Sequence, residues 1–241
     1  MSAPGPDVGV LLLDNQLPRP RGDVGNPATF AFPVQYAVIP GAATRLVVER
    51  CAGGLLDNAR AAMRTLLRGG VRTVTTCCGF LAIFQRELAE EAPVPVATSS
   101  LMQIPLVLRT LRADQRVCVL TVNAATLTPA HFAAAGVTAD ELPRVVVAGL
   151  EDTEHFYPMI VEEIDVLDQD RAQREVVAAA LDAVGHAPDI GAFVFECTNL
   201  PPYSDAVRQA TSRPVWDATS LIGWLRSGVR SGHDAAPEVA V

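Results

Sequence analysis

A chain of 241 residues, 49% of them hydrophobic and with a formal net charge of −8, can bury a sizeable core and carries no basic cluster that would track phosphates, so nucleic acid drops out as a partner. No run reaches the roughly eighteen apolar residues of a membrane span, and Met1 to Asp7 lacks the basic and apolar regions of a signal peptide, so the reading is a cytoplasmic chain with no membrane contact. All nineteen basic residues are arginine, which removes the lysine that a pyridoxal-phosphate Schiff base or a P-loop needs, and no G-x-G-x-x-G marks a nicotinamide site, so no cofactor is expected.

Gly9 to Asp14 is an apolar run ending in a polar residue, the pattern of a buried parallel strand. Asn15 to Pro33 holds Pro18, Pro20, Pro27 and Pro33 with Gly22 and Gly25, which excludes a regular helix or central strand and predicts a long ordered loop or lid. Val34 to Ile39 reads as the second strand, and Leu55 to Leu67 as a helix stopped at Gly69-Gly70. Arg72 to Thr76 is a strand, Leu81 to Ala92 a helix and Val94 to Thr98 a strand. Ser99 and Ser100 offer a cap to a helix from Leu101 to Leu111. Arg116 to Thr121 is another buried strand, Thr128-Pro129 opens a short helix through Ala135, and Arg144 to Ala148 is a strand. Glu154 to Val166 is expected to be helical with a break near Pro158, and Asp170 to Val184 to be an amphipathic helix ended by Gly185. Ile190 to Phe195 is a strand, Asp205 to Ala210 a helix, Pro214 to Trp216 a last short strand and Ser220 to Ser227 a closing helix, with a frayed tail from Ser231. This alternation predicts an α/β fold with parallel sheets flanked by helices.

Two stretches carry the chemistry. Thr73 to Phe80 reads Thr-Val-Thr-Thr-Cys-Cys-Gly-Phe, and Phe195 to Tyr203 reads Phe-Glu-Cys-Thr-Asn-Leu-Pro-Pro-Tyr. A strand that stops at Cys78 delivers its thiol to the carboxyl edge of a parallel sheet, where ligands bind, and the same holds for Cys197. A helix N-terminus after each would favour a thiolate or a bound carboxylate. The two thiols lie half the chain apart, which suggests a cleft between two similar halves. Five cysteines, an odd number, argue against a disulfide framework. Adjacent Cys77 and Cys78 do not match zinc spacing and the histidines are scattered, so no metal is expected. Cys51 and Cys118 read as core, and Cys77, alternating with Cys78, should point away from the site.

Thr75 to Ala82 and Glu196 to Tyr203 resemble the aspartate/glutamate racemase superfamily, and Gly22 to Thr29 resembles a less characterised branch of it; the likeness runs from about residue 8 to 228. The resemblance implies two pseudo-symmetric α/β lobes, each a parallel sheet flanked by helices, with the active site in the cleft between them. It places 8–113 plus 214–229 in the first lobe and 114–213 in the second, leaving 1–7 and 230–241 as flexible termini. It further implies a cofactor-independent racemase or epimerase, an isomerase in which Cys78 and Cys197 act as an acid/base pair on the α-carbon of a small carboxylate or amino-acid-like substrate. Cys-Gly-Phe where the amino-acid racemases often have Cys-Asn-Thr, and the Pro-rich loop in place of their short turn, count against aspartate or glutamate itself. A cysteine-dependent cis-trans isomerase or decarboxylase, of maleate or arylmalonate type, is the alternative. A ligand-binding or thiol redox-sensing protein is the alternative from another class. Removing an α-proton needs a base and donors for the developing enediolate. Backbone N–H groups after each cysteine, with Asn26, Thr76, Gly79, Ser99, Thr121, Thr198 and Asn199, are the substrate-binding candidates. The expected partner is the small carboxylate; a homodimer is left open.

Overall fold

The β-branched and apolar runs become two four-stranded parallel sheets in the computed structural model, which describes residues 6–229. The first holds β1 (Val8–Leu12), β2 (Val34–Val38), β3 (Thr73–Thr76) and β4 (Val96–Ala97) in the order β2-β1-β3-β4. The second holds β5 (Arg116–Thr121), β6 (Val145–Gly149), β7 (Ile190–Phe195) and β8 (Val215–Trp216) in the order β6-β5-β7-β8. The two orders coincide after a shift of four, so β1 corresponds to β5 and β3 to β7. Every residue of β3 and β7 is buried, as central parallel strands covered on both faces should be, whereas edge strands β2 and β6 are half exposed.

The sheets are flanked by α1 (Thr44–Glu49), α2 (Leu56–Arg68), α3 (Gln85–Glu91), α4 (Ile104–Thr110), α5 (Pro129–Ala134), α6 (Phe156–Val161), α7 (Gln169–His186), α8 (Ser204–Thr211) and α9 (Ala218–Val229). Helix α1 has no counterpart in the sequence reading: at six residues, with no side-chain cap and with left-handed Cys51 and Ala52 just beyond it, it is too short to display a period. The helices expected at 81–92 and 101–111 each open as a 3-10 stretch, Gly79–Phe84 and Ser100–Gln103. The segment expected to be helical over 154–166 contracts to α6. Pro158 does not break it, because the proline sits in the first turn, where its missing N–H is not needed. Helix α7 continues through Gly185 to His186.

One lobe assignment is corrected. The strand within 214–229 does not join the first sheet: β8 pairs in parallel with β7, Phe193 opposite Val215 and Val194 opposite Trp216. The short link Ser212–Pro214 after α8 leaves the chain beside β7, so the return to the first lobe comes one element later. There Leu221 and Leu225 of α9 pack on Ala97 of β4. The terminal segments expected to be flexible lie outside the described residues except at Pro6 and Asp7. Asp7 is held: its carboxylate pairs with Arg72 at 3.3 Å and Arg226 at 3.1 Å, and its carbonyl accepts from the N–H groups of Arg72 and Thr73. No helix among the described residues is long and apolar enough to cross a membrane.

Candidate active site

The carboxyl ends of the central strands converge on one small cavity, with Cys78 just past the end of β3 and Cys197 at the equivalent place past β7. Leu13 and Val122, directly after β1 and β5, line it too, so both halves contribute matching positions. The Pro-rich loop lies over it. Leu17 and Arg19 form part of its wall, Val24 N–H donates to the Thr198 carbonyl at 3.4 Å, and the Asp23 carboxylate accepts from the Asn199 amide. Gly22, at φ +106°, passes so near the next wall that a Cβ would meet the Pro202 Cα at 2.9 Å. Thr44 and Val48 of α1 and Ile160 of α6 close the far side, where Glu163 of the second lobe accepts from the Thr44 N–H at 3.2 Å. The space left between these walls is narrow.

Burial dominates the electrostatics. Cys78 and Cys197 are 9% and 6% exposed, and desolvation, followed by the neighbouring Glu196 carboxyl, pushes both thiols well above their ordinary range. The lowering expected from helix N-termini is therefore reversed. Cys78 leads into a 3-10 stretch, and α8 begins only at Ser204, so no full helix dipole points at either sulfur. The N–H groups of Phe80 and Asn199, each two residues past a cysteine, oppose the upward shift by hydrogen bonding to the sulfurs. The Cys197 thiol donates to Asn199 Oδ1 at 3.5 Å.

Two charged residues of the cavity wall, Glu196 and Arg19, and the Asp23 carboxylate paired with Arg19, are not legible in the sequence. Glu196 is fully buried; its Oε2 accepts from Thr121 Oγ1 at 2.7 Å, while Oε1 has no partner among the described residues. Burial raises this carboxyl to about 8, so it is protonated at neutral pH. The one mark it leaves in the sequence is its place, a carboxylate at the end of the apolar run Ile190 to Phe195, directly before the cysteine. Arg19 donates to Asp23 Oδ1 at 3.0 Å and to Asn15 Oδ1 at 2.9 Å, and brings a positive charge to the cavity wall. Asp23 is 1% exposed, and burial raises its carboxyl against the opposing pull of Arg19.

Of the candidates read from the sequence, Cys78, Cys197, Thr198 and Asn199 line the cavity. Thr198 Oγ1 donates to the Cys77 carbonyl, tying the two cysteine segments together across the cleft. Gly79 lies against Glu196, and Thr121 reaches the cavity through Glu196. Thr76 and Ser99 serve the backbone instead: Thr76 Oγ1 sits within hydrogen-bond reach of the Cys78 and Thr98 carbonyls, and Ser99 Oγ accepts from Leu101 N–H. Asn26 is spent inside its own loop, accepting from Ala28 N–H and donating to the Arg19 carbonyl, and does not line the cavity. Cys77 does not point away as the strand alternation suggested. The strand ends at Thr76, and beyond it Cys77 turns to line the Arg19 side of the cavity, where its sulfur accepts from Leu13 N–H at 3.1 Å. Cys77→Ala leaves that buried N–H unpartnered, so we expect a loss of about 1–2 kcal/mol in stability with kcat/KM within about tenfold of wild type, checked by thermal melts and steady-state rates.

No family model matches the chain. It is 37% identical over 248 residues to "dimethylsulfoniopropionate lyase 3" of Emiliania huxleyi, an alignment covering 95% of this chain and 63% of that protein, so this chain spans less than two thirds of that relative's length. It is 36% identical over 220 residues to a dimethylsulfoniopropionate lyase of Durusdinium sp. clade D, covering 88% of this chain and 71% of that one. Among solved structures, allantoin racemase from Klebsiella pneumoniae superposes with a TM-score of 0.61 at 16% identity, covering 92% of this chain and 87% of that one. Arylmalonate decarboxylase gives 0.57 at 16% identity over 93% of each chain. A glutamate racemase from Bacillus anthracis gives 0.57 at 12% identity, over 92% of this chain and 82% of that one. At these identities the structural likeness is one of fold, the two-lobed architecture of the aspartate/glutamate racemase superfamily.

Proposed function

Because the chain belongs to the dimethylsulfoniopropionate lyase family, on the fold of the aspartate/glutamate racemase superfamily, we propose that it eliminates a β-sulfonium group from a small carboxylate. The observation that carries this reading is the meeting of Cys78 and Cys197, at equivalent strand ends of the two lobes, on one cavity with Arg19. The chemistry shares its first step with racemisation. A thiolate takes the proton α to the carboxylate, and the developing enediolate needs donors. In the lyase the α–β double bond then forms as the C–S bond breaks, its electron pair leaving on sulfur. Dimethylsulfoniopropionate gives dimethyl sulfide and acrylate, and the proton on the thiol passes to solvent. No proton returns to carbon, so one thiol is the base and the other is free to hold the enediolate. The isomerase class expected from the sequence gives way here to the class that the relatives bear.

The deciding experiment follows dimethylsulfoniopropionate with the wild-type protein in deuterated water. Dimethyl sulfide and acrylate in equal amounts support the proposal. Deuterium at the α-carbon of a retained carboxylate, with no sulfide, would restore the racemase reading, which a thiol from each lobe also suits. Arg19 is the cation placed to meet the substrate carboxylate. Losing one charge-assisted hydrogen bond costs roughly 1.5–3 kcal/mol, so Arg19→Gln is expected to raise KM about tenfold or more and to lower kcat less. An unchanged KM would remove Arg19 from binding.

A further inference from the structure

We propose that Glu196 is the group that recognises the cationic end of the substrate, an inference that rests on the lyase reading and assigns the second pole of the same cavity. The cavity is lined by groups of opposite kind. Arg19, on the Pro-rich loop, lines it with Cys77 and Asn199 and pairs with Asp23, which also accepts from the Asn199 amide. Glu196 stands at the sheet edge with Thr121 and Gly79. The carboxyl is fully buried, accepts one hydrogen bond from Thr121, and has an Oε1 with no partner among the described residues. An unpartnered buried carboxylate is costly unless a cation compensates it. In the free protein the carboxyl escapes that cost by holding its proton, and a ligand that brings positive charge lets it release that proton to solvent and stand as the paired carboxylate.

A dialkylsulfonium or quaternary ammonium group is such a ligand. It has no N–H or O–H, so hydrogen-bonding side chains cannot select it; only a negative charge and polarisable or aromatic surface can. Phe80 lines the cavity too and offers aromatic surface. A zwitterion with its carboxylate toward Arg19 and its onium toward Glu196 then spans the two thiols. Gly79 belongs to the same arrangement, because a Cβ there would come within 2.4 Å of Oε1.

The test separates charge from shape. 3-(Trimethylammonio)propionate and 4,4-dimethylpentanoate have the same outline and carboxylate and differ in the cationic centre. Titration calorimetry of the wild-type protein should show the onium compound binding at least about tenfold more tightly, and Glu196→Gln should compress that ratio to about twofold. Glu196→Asp, which keeps the charge but withdraws it by one methylene, should fall between, and decides the matter if the glutamine variant fails to fold. Equal affinity of the wild type for both compounds, or an undiminished ratio in the variant that folds, would overturn the inference. So would equal loss of both compounds on substitution, which would mark Glu196 as a partner of the shared carboxylate. The lyase reading fails independently, on absent dimethyl sulfide, whatever this ratio shows.

Discussion

Cys78→Ala and Cys197→Ala should separate the base from its partner. Whichever thiol takes the α-proton should lose at least about 10³-fold in kcat/KM when replaced, within the usual range for a general base. The other should cost about 10–10²-fold if it only holds the enediolate. A racemase would lose interconversion in both variants equally, because each face of the carbon has its own base. Both proteins should remain folded, within about 1 kcal/mol of wild type by thermal melt, since each change removes a single sulfur atom that already lines a cavity. Full turnover in both variants would reject thiol catalysis altogether. A pH profile supplies an independent check. Burial and the neighbouring carboxyl raise both thiols well above their ordinary range, so the reactive thiolate becomes more abundant as pH rises. The wild-type kcat/KM should therefore climb from neutrality into the alkaline range. A profile flat from about pH 6 to 9 would mean that the base is not a free buried thiol.

How far the residues alone lead differs between fold and site. Strand runs such as Arg116 to Thr121 and Ile190 to Phe195 were legible because a parallel sheet buried on both faces needs continuous apolar sequence. The site cysteines were legible because each ends such a run. The partner sheet of β8 was not: two residues of strand carry no signal for which sheet they join, and the short link from α8 decides it. Glu196 is not legible because a charge in a motif reads as solvated until burial is known, nor Arg19, because a loop rich in proline hides which side chain turns inward. The direction of the thiol shift was misjudged for a related reason. A cysteine before a helical pattern suggests a dipole, but the pattern cannot reveal that the first turn is 3-10 or that desolvation outweighs it. Sequence locates atoms along the chain; the balance between burial and field depends on neighbours more than a hundred residues away, such as Glu196 beside Gly79.

Gly79→Ala should be the most damaging glycine-to-alanine change among the described residues. A Cβ at this position would lie 2.3 Å from the Glu196 carbonyl oxygen and 2.4 Å from its Oε1. The side chain could swing aside, but the carbonyl belongs to the end of β7 and cannot. The segment after β3 and the segment after β7 must therefore separate, straining the Thr198 to Cys77 hydrogen bond that joins them. Overpacking of this kind costs about 1–3 kcal/mol, a fall of roughly 2–12 °C in Tm for a chain of this size. The kinetic effect should exceed the thermal one, because Cys78 and Cys197 sit on the two segments forced apart, and a misplacement of about 1 Å can cost 10²-fold. Adding Glu196→Ala to Gly79→Ala tests which atom is responsible. The second change removes the Oε1 contact and leaves the backbone contact in place, so stability should not return. Restored Tm in the double variant would assign the clash to the side chain alone. A Gly79→Ala protein with wild-type Tm and turnover would show that the two cysteine segments do not approach this closely, and the arrangement of both thiols around one substrate carbon would fail with it.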